Sequence, residues 1–328
     1  MTIFFTDKPT PRLGMGCWAI GGPFFAGEVA LGYGDTDDDR SRRAIAAARD
    51  HGIRLFDTAD VYGAGHSERL LGEALGPDDI VVTKLGNVFD EESRQVTGSV
   101  EDAAGAVAAV EDSLRRLKRD RIDLVLLHLN SASTDLAAAI FDGLEPLVEA
   151  GTLGGYGWST DFPDSVRAMA NRPSFRAVQH AMNLFHPVPT MAATIREAGL
   201  SALNRSPLAM GLLTGSFAQG RTIGTDDVRG GDQAWLGYFD EGRPDEGHLK
   251  TIESVGEILR SGGRTLGQGA IAWLWAASEA NVPIPGARTP EQAAENAGAL
   301  EHGPLTAAQM AEIEALIDRP PEGPAREL

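Results

Sequence analysis

Cysteine occurs once in the 328 residues, at Cys17. One thiol excludes an intrachain disulfide and a cysteine-built metal site. Basic residues are also scarce: 29 Lys and Arg stand against 47 Asp and Glu, a formal net charge of -18. A surface that acidic repels nucleic acid and anionic membranes, and no Lys/Arg run interrupts it. No stretch approaches the ~18 uninterrupted apolar residues of a membrane span. The opening MTIFFTDKPTPRLG has neither the basic segment nor the apolar run of an export signal. Among the seven histidines no His-x-His or His-x-x-x-His pair occurs, and no Walker loop is present. The expectation is a cytoplasmic protein without metal, nucleic-acid or membrane partners; protein partners stay open.

What the chain does have is alternation. Apolar runs at Leu13–Ala19, Ile53–Thr58, Ile80–Lys84, Ile122–Leu129, Leu153–Thr160, Ala177–Leu184, Leu200–Arg205 and Val282–Pro285 give about eight strands, the number a closed barrel needs. Between them lie segments of helical period. Val107, Val110, Leu114 and Leu117 form one stripe on a helix over roughly 99–118. Ser41–Asp50, Ser67–Leu75, Thr134–Glu149, Leu249–Leu259, Gln268–Ser278 and Pro290–Ala299 have similar patterns. Strand–helix alternation predicts parallel strands joined by helical crossovers.

Two folds satisfy that pattern, a doubly wound sheet and a barrel. Gly14-Met15-Gly16-Cys17-Trp18-Ala19 matches the G-x-G-x-x-A of a dinucleotide-binding turn. The next residues, Ile20-Gly21-Gly22-Pro23, break a helix where that motif must start one. The expectation is therefore a single (β/α)8 barrel domain spanning 1–328, an α/β TIM barrel with long mouth loops. Two stretches stand outside the alternation, Gly21–Asp39 and Gly215–Gly247. They are rich in glycine and aspartate yet carry Phe24, Phe25, Tyr33, Trp235, Tyr238 and Phe239, and aromatic residues in long loops suit a binding role.

In a parallel barrel the active site gathers where strands end. Asp57 ends one run, Lys84 the next, and His128 sits in a third; Tyr62 follows Asp57 by five residues. Each alone has a structural reading: a turn aspartate, a surface lysine, a satisfied core histidine. Their occurrence at successive strand ends favours one shared site.

The segments FDTADVYGAGHSERLLGEAL, TKLG, EDSLRRLKRDRIDLVLLH, GYGWST, VQHAMNLF, SPLAMGLLTG and IPGARTPEQAAEN stand in an order and spacing that resembles the aldo-keto reductase family over nearly the whole chain. The resemblance implies a reductase of an aldehyde, ketone or keto-sugar, with NADPH as cofactor and Asp57, Tyr62, Lys84 and His128 as catalytic tetrad. A tyrosine keeps its proton at neutral pH, its pKa being ~10. A neighbouring ammonium makes the phenol a better acid, which suits Lys84 held by Asp57. His128 suits a hydrogen-bond donor to the substrate oxygen.

By the same resemblance Ser159 and Gln179 meet the nicotinamide carboxamide with Thr160 close by, where many relatives have asparagine. Arg205 stands where many have a stacking aromatic. Ser206, Leu208 and Gly211 belong to the pyrophosphate loop, and Gly286, Arg288, Gln292 and Asn296 to the adenosine end. Arg288 is the candidate for the 2′-phosphate, although Gly286 and Gln292 replace basic residues of some relatives. Trp18 is expected near cofactor and substrate alike. Phe24, Phe25, Trp235, Tyr238 and Phe239 are expected in the pocket wall. Two alternatives stay open: an NADPH-binding sensor subunit with little turnover, and an unrelated barrel enzyme using Lys84 as a Schiff base.

Overall fold

The structure is a computed structural model that describes residues 8–9, 11–217, 222–224, 227–230, 237–319 and 322. Eight parallel strands succeed one another around a barrel in chain order: β1 (Gly14–Gly16), β2 (Leu55–Asp57), β3 (Ile80–Leu85), β4 (Leu124–Leu127), β5 (Tyr156–Ser159), β6 (Phe175–Ala181), β7 (Ser201–Arg205) and β8 (Asn281–Pro283). The first and last edges meet through Gly16, which bridges Gly286 in parallel and donates its amide to Pro285 O at 3.0 Å. The helices α1 (Asp38–Asp50), α2 (His66–Ala74), α3 (Ala103–Leu117), α4 (Thr134–Glu149), α5 (Pro163–Met169) and α6 (Pro189–Glu197) each come after the strand of the same number. Two helices, α7 (Glu246–Arg260) and α8 (Leu266–Ala277), separate β7 from β8, and α9 (Pro290–Gly298) and α10 (Ala307–Leu316) complete the order.

Side chains on a strand alternate in direction, and this sorts the core into two parts. Leu55, Ile80, Val82, Leu124, Leu126, Ala177, Leu203, Val282 and Ile284 pack together inside the barrel. Their neighbours Phe56, Val81, Val125, Val178 and Ala202 join a larger cluster with apolar helix residues such as Ile45, Val110 and Phe141. The glycines of the dinucleotide-like decoy belong to the barrel seam. A Cβ on Gly14 would lie 2.4 Å from Leu55 Cδ2, and one on Gly16 would lie 2.7 Å from Ile284 O.

Local signals start the helices. Asp37 accepts from Arg40 N, Asp102 from Gly105 N and Ser133 from Leu136 N, each satisfying an amide that the first turn leaves unpaired. Thr265 and Gln268 form a reciprocal capping box on α8. Most strands are shorter than their apolar runs: after Gly16 the chain turns at once into a 3-10 turn at Trp18–Ile20, Cys17 N having bonded Asp57 O at 2.8 Å. Helices α5, α6 and α10 have no counterpart in the periodicity expected from sequence.

The first mouth stretch is ordered around a small sheet of its own. A hairpin of Phe25–Ala26 and Val29–Ala30 pairs with a second hairpin of Asn87–Asp90 and Gln95–Ser99. The described part of the second stretch includes the short hairpin Phe239–Asp240 and Arg243–Pro244. Trp235 lies outside the described residues.

One buried ion pair ties three elements behind the mouth. Glu68 on α2 is fully buried and accepts from Arg116 Nε of α3 and from Thr83 Oγ1 of β3, both at 2.6 Å. A charge kept from water requires such partners. Glu68→Ala is expected to lower unfolding stability by about 1–3 kcal/mol, since it leaves Thr83 Oγ1 without its partner and Arg116 with the longer Glu91 pair at 3.3 Å; a urea titration checks this.

Candidate active site

The period-two rule that fills the barrel with apolar side chains also aims its polar ones. Asp57 comes after Leu55 on the inner face of β2, and Lys84 after Ile80 and Val82 on β3. His128 lies two residues beyond Leu126, Gln179 two beyond Ala177 and Arg205 two beyond Leu203. All stand at the carboxyl ends of their strands, where the barrel opens. Tyr62 comes from the turn after β2. Ser67 N donates to Tyr62 O at 3.2 Å, and Ser67 Oγ donates to Cys17 O at 3.1 Å while accepting from Thr58 Oγ1 at 2.8 Å. These bonds fix the turn against β1.

Lys84 is the centre of the arrangement. Its Nζ, wholly buried, donates to Asp57 Oδ2 at 2.8 Å, to Thr58 O at 2.6 Å and to Tyr62 Oη at 3.2 Å. Asp57 uses its other oxygen to accept from Gln179 Nε2 at 2.7 Å. Around Tyr62 the rings of Trp18, Phe24 and His128 lie 5.9, 6.3 and 5.9 Å away, Trp18 nearly parallel to it and His128 edge-on. Trp18 is itself tied to the mouth hairpin by Nε1, which donates to Leu31 O at 3.0 Å.

Burial sets the protonation of this cluster. Desolvation works against the Lys84 ammonium, yet Asp57 and Tyr62 outweigh it and raise its pKa. Desolvation also raises the Tyr62 phenol, with Lys84 opposing, and raises Asp57 against the same ammonium. For His128 burial and then the charges of Lys84 and Arg205 all act in one direction, holding it well below the ordinary imidazole range. The ring is therefore neutral, and its Nδ1 is buried without a hydrogen-bond partner. A lysine so bound and so firmly cationic does not offer the neutral amine that Schiff-base chemistry requires.

A cavity of about 640 Å³ extends from this cluster across the barrel mouth. Asp57, Tyr62, His128, Ser159, Gln179 and Arg205 line its inner end, with Trp18 and Phe24 beside them. Ser206, Leu208 and Gly211 line it as well, as do Gly286, Arg288, Gln292 and Asn296. Lys84 is not among the lining residues; it supports Tyr62 from behind. Arg205 is pinned by an ion pair with Asp161, whose other oxygen accepts from Ala181 N at 2.9 Å. Arg288 donates to the carbonyls of Tyr33 and Asp35 at 3.3 and 2.7 Å, so it joins the first mouth stretch to the segment after β8.

Four expected positions fall elsewhere. Thr160 is fully buried and donates to Asn130 O at 2.7 Å; Asn130 lines the cavity in its place. Phe25 does not line the cavity, since strand alternation turns Phe24 and Ala26 towards it. Tyr238 accepts from Asn183 Nδ2 at 2.7 Å and packs against Phe185 and His248. Phe239 packs behind Phe217, which does line the cavity. Sequence reasoning noted Tyr33 only as a mouth-loop aromatic and missed Asn87, Asn130, Asp161, Met210, Arg229 and Glu295, all of them lining residues. Most lie on loops, where no period announces direction. Asp161 and Glu295 are adjacent to expected site positions, a signal that could have found them.

Fold and site together define a barrel oxidoreductase class, and comparison with known proteins agrees. The Aldo/keto reductase family model matches residues 12–318. The chain belongs to that family. It is 29% identical over 300 residues to aldo-keto reductase YhdN of Bacillus subtilis, covering 89% of this chain and 85% of that protein. It is 26% identical over 305 residues to aldo-keto reductase yakc [NADP(+)] of Schizosaccharomyces pombe, covering 90% and 85%. Among solved structures, the glycerol dehydrogenase AKR11B4 of Gluconobacter oxydans superposes with a TM-score of 0.81 at 27% identity over 99% of this chain and 98% of that one. The holo form of aldo-keto reductase AKR11C1 of Bacillus halodurans gives 0.77 at 26% identity over 100% and 99%.

The buried neutral histidines carry a pH dependence. Burial lowers His180 to about 4 and His128 in the same direction. Each takes up a proton more readily when unfolded, near pH ~6.5, so the unfolded state gains protons first as pH falls. Thermal stability is expected to hold above about pH 6.5 and to decline steadily below it. Melting curves from pH 8 to 5 test this, and His180→Asn should flatten the decline.

Proposed function

We propose that this protein reduces an aldehyde, ketone or keto-sugar to an alcohol with NADPH, and that Tyr62 is the general acid. The observation that carries the reading is the Tyr62–Lys84–Asp57 chain of hydrogen bonds, with His128 edge-on to Tyr62, on the wall of the cavity.

The residues present fit a dinucleotide. In the stretch after β7, Ser206, Ala209 and Met210 adopt φ of 52°, 48° and 56°, with Gly211 at 99°. Left-handed conformations at three non-glycine residues are costly, about 1–3 kcal/mol each, and cluster where a ligand gives them a use. Ala209 N and Gly211 N donate to Ser206 O and Leu208 O, both at 2.9 Å, so these turns are closed on themselves and shape the loop along the cavity. The relative from Schizosaccharomyces pombe bears NADP(+) in its name, which supports the same cofactor here.

When bound, NADPH supplies the hydride. The work of the protein is to hold the carbonyl and deliver a proton to its oxygen. Tyr62 Oη gives up its proton as negative charge grows on that oxygen. The Lys84 ammonium, 3.2 Å away, stabilises the phenolate left behind. Asp57 and Thr58 O keep the ammonium charged and in line. His128 is neutral and serves as a hydrogen-bond donor to the carbonyl. Gln179 commits its amide N–H to Asp57, which leaves its carbonyl oxygen to accept from the nicotinamide carboxamide, with Ser159 alongside. Thr160 acts at one remove, through Asn130. Arg205, paired with Asp161, would offer a guanidinium face where other members of the family place an aromatic ring. Arg288, which the resemblance assigns to the adenosine end, would read a 2′-phosphate with the donors that Tyr33 O and Asp35 O leave over.

Tyr62→Phe is expected to lower the rate of NADPH-dependent reduction of 4-nitrobenzaldehyde by about 10²–10⁴-fold, the usual range for a general acid. NADPH affinity, read by fluorescence quenching, should stay within a factor of about two. Undiminished turnover would remove Tyr62 from this role. If the wild type binds NADPH tightly but reduces no carbonyl in a broad panel, a sensor function replaces the enzymatic one. Separately, Arg288→Ala should weaken NADPH about tenfold or more while NADH changes little; an equal loss would show that Arg288 does not recognise the 2′-phosphate.

A further inference from the structure

The four-stranded sheet beside the barrel mouth has two faces of different chemistry. On its second hairpin Asn87 and Phe89 stand two residues apart and so share a face, while Val88 and Asp90 are exposed on the other. Val96 is the cross-strand partner of Phe89 and lies on the same side. On the first hairpin Phe25 pairs with Gln95 on the outer face, which turns Phe24 and Ala26 the way of Val96. This inner face meets Tyr62: Phe24 and Tyr62 belong to one apolar cluster, with Trp18, Leu31, Phe89 and Val96 packed against it. From the sheet, Ala26, Asn87 and Val96 line the cavity, and Asn87 is the one polar residue among them. It leaves the barrel beside His128, since a Cβ on the preceding Gly86 would lie 3.3 Å from the His128 backbone N.

The wall is held in place from several sides. Gln95 joins the two hairpins, its Oε1 accepting from Gly27 N at 3.0 Å and its Nε2 donating to Gly27 O at 3.2 Å. Val100 N donates to Gly86 O at 2.7 Å and closes the second hairpin at its base. The Arg116 guanidinium lies 5.6 Å from the centre of the Phe89 ring. Among the described residues, by contrast, the Asn87 carboxamide has no hydrogen-bond partner. The charged residues that line the cavity all come from other segments. Most are committed there: Asp57 to Lys84 and Gln179, Asp161 to Arg205, and Arg229 to Asp227.

We propose that the inner face of this sheet selects the substrate: an uncharged aryl or alkyl aldehyde or ketone with a single hydroxyl, bound by the Asn87 carboxamide, in preference to sugars and carboxylates. The assignment rests on the reductase reading above and narrows it. Rings and aliphatic side chains receive an apolar skeleton but offer nothing to a hydroxyl. A carboxamide carries both donor and acceptor, so Asn87 can satisfy one hydroxyl. A sugar brings several, and each one buried without a partner costs about five- to a hundredfold in affinity. A carboxylate is disfavoured further, because the sheet turns no cation towards it and a charge is harder to desolvate than a hydroxyl.

The test compares kcat/KM with NADPH in wild type, Asn87→Leu and Val96→Arg. The substrates are benzaldehyde, 3-hydroxybenzaldehyde, 4-(hydroxymethyl)benzaldehyde and 4-carboxybenzaldehyde, with D-xylose set against pentanal per open-chain aldehyde. In wild type the carboxylate and the sugar should each fall about a hundredfold or more below their apolar counterparts. Asn87→Leu should lower the ratio of a hydroxylated ring to benzaldehyde about three- to tenfold. Intrinsic reactivity cancels from that comparison, and a substitution that merely weakened the fold would leave the ratio unmoved. Val96→Arg puts a cation on the face and should raise the ratio of carboxylate to benzaldehyde about tenfold. Calorimetric binding of the corresponding alcohols, without turnover, should show the same loss in Asn87→Leu for the hydroxylated rings relative to benzyl alcohol. If Asn87→Leu leaves both ratios unchanged, or wild type prefers D-xylose to pentanal, the assignment is overturned and the reductase reading stands. Wild type that reduces none of these carbonyls overturns both.

Discussion

A wholly buried ammonium is the constraint on which the mouth of this barrel depends. Lys84 is removed from water, and an isolated charge there would be expelled or neutralised at a cost of several kcal/mol. Asp57 and the carbonyl of Thr58 prevent that, and both lie at the end of the neighbouring strand. The register of β2 against β3, Leu55 opposite Ile80 and Asp57 opposite Val82, brings the carboxylate within reach. Once the ammonium is fixed, the remaining geometry is built on it. Tyr62 is held at hydrogen-bond distance, Gln179 is drawn to the free oxygen of Asp57, and His128 is kept neutral partly by the charge nearby.

The support behind this cluster obeys the same logic in a second layer. Thr83 points outward from β3, next to inward-pointing Lys84, and binds Glu68, which in turn holds Arg116. Asp60, also buried, is pushed well above the carboxylate range by desolvation and by Glu68, and accepts from Val61 N at 2.6 Å. The turn carrying Tyr62 is therefore gripped from the barrel side and from the helix side. Two layers of polar contacts in a low-dielectric setting give a rigid turn, because each group has few other partners to choose from.

Much of the barrel was legible in the sequence because its strands obey a simple period. An apolar run ending in Asp57, another ending in Lys84 and another reaching His128 place three polar side chains at the ends of successive strands. Glycines were harder to interpret. Gly14 and Gly16 imitate a dinucleotide-binding turn, yet their use is to let β1 close on Leu55 and Ile284. Loops were hardest. Of two adjacent phenylalanines, Phe24 faces the cavity and Phe25 does not, and that depends on a four-stranded sheet whose second hairpin lies some sixty residues further along the chain. Tyr238 and Phe239 pack with partners that no local pattern discloses. Thr160 gives its hydroxyl to Asn130, a contact that exists only because β4 and β5 are neighbours.

The sequence by itself determined the alternation of strands and helices, the place of Asp57, Lys84 and His128 at successive strand ends, and the family to which they belong. Those features are local: they depend on side-chain period, capping residues and motif spacing. Tertiary structure alone decided how Lys84 is shared among Asp57, Thr58 and Tyr62, which aromatic residues face the cavity, and where Asn87 stands. Such contacts join residues far apart in the chain, and their energies depend on burial and angle, which no stretch of sequence specifies before the barrel has closed.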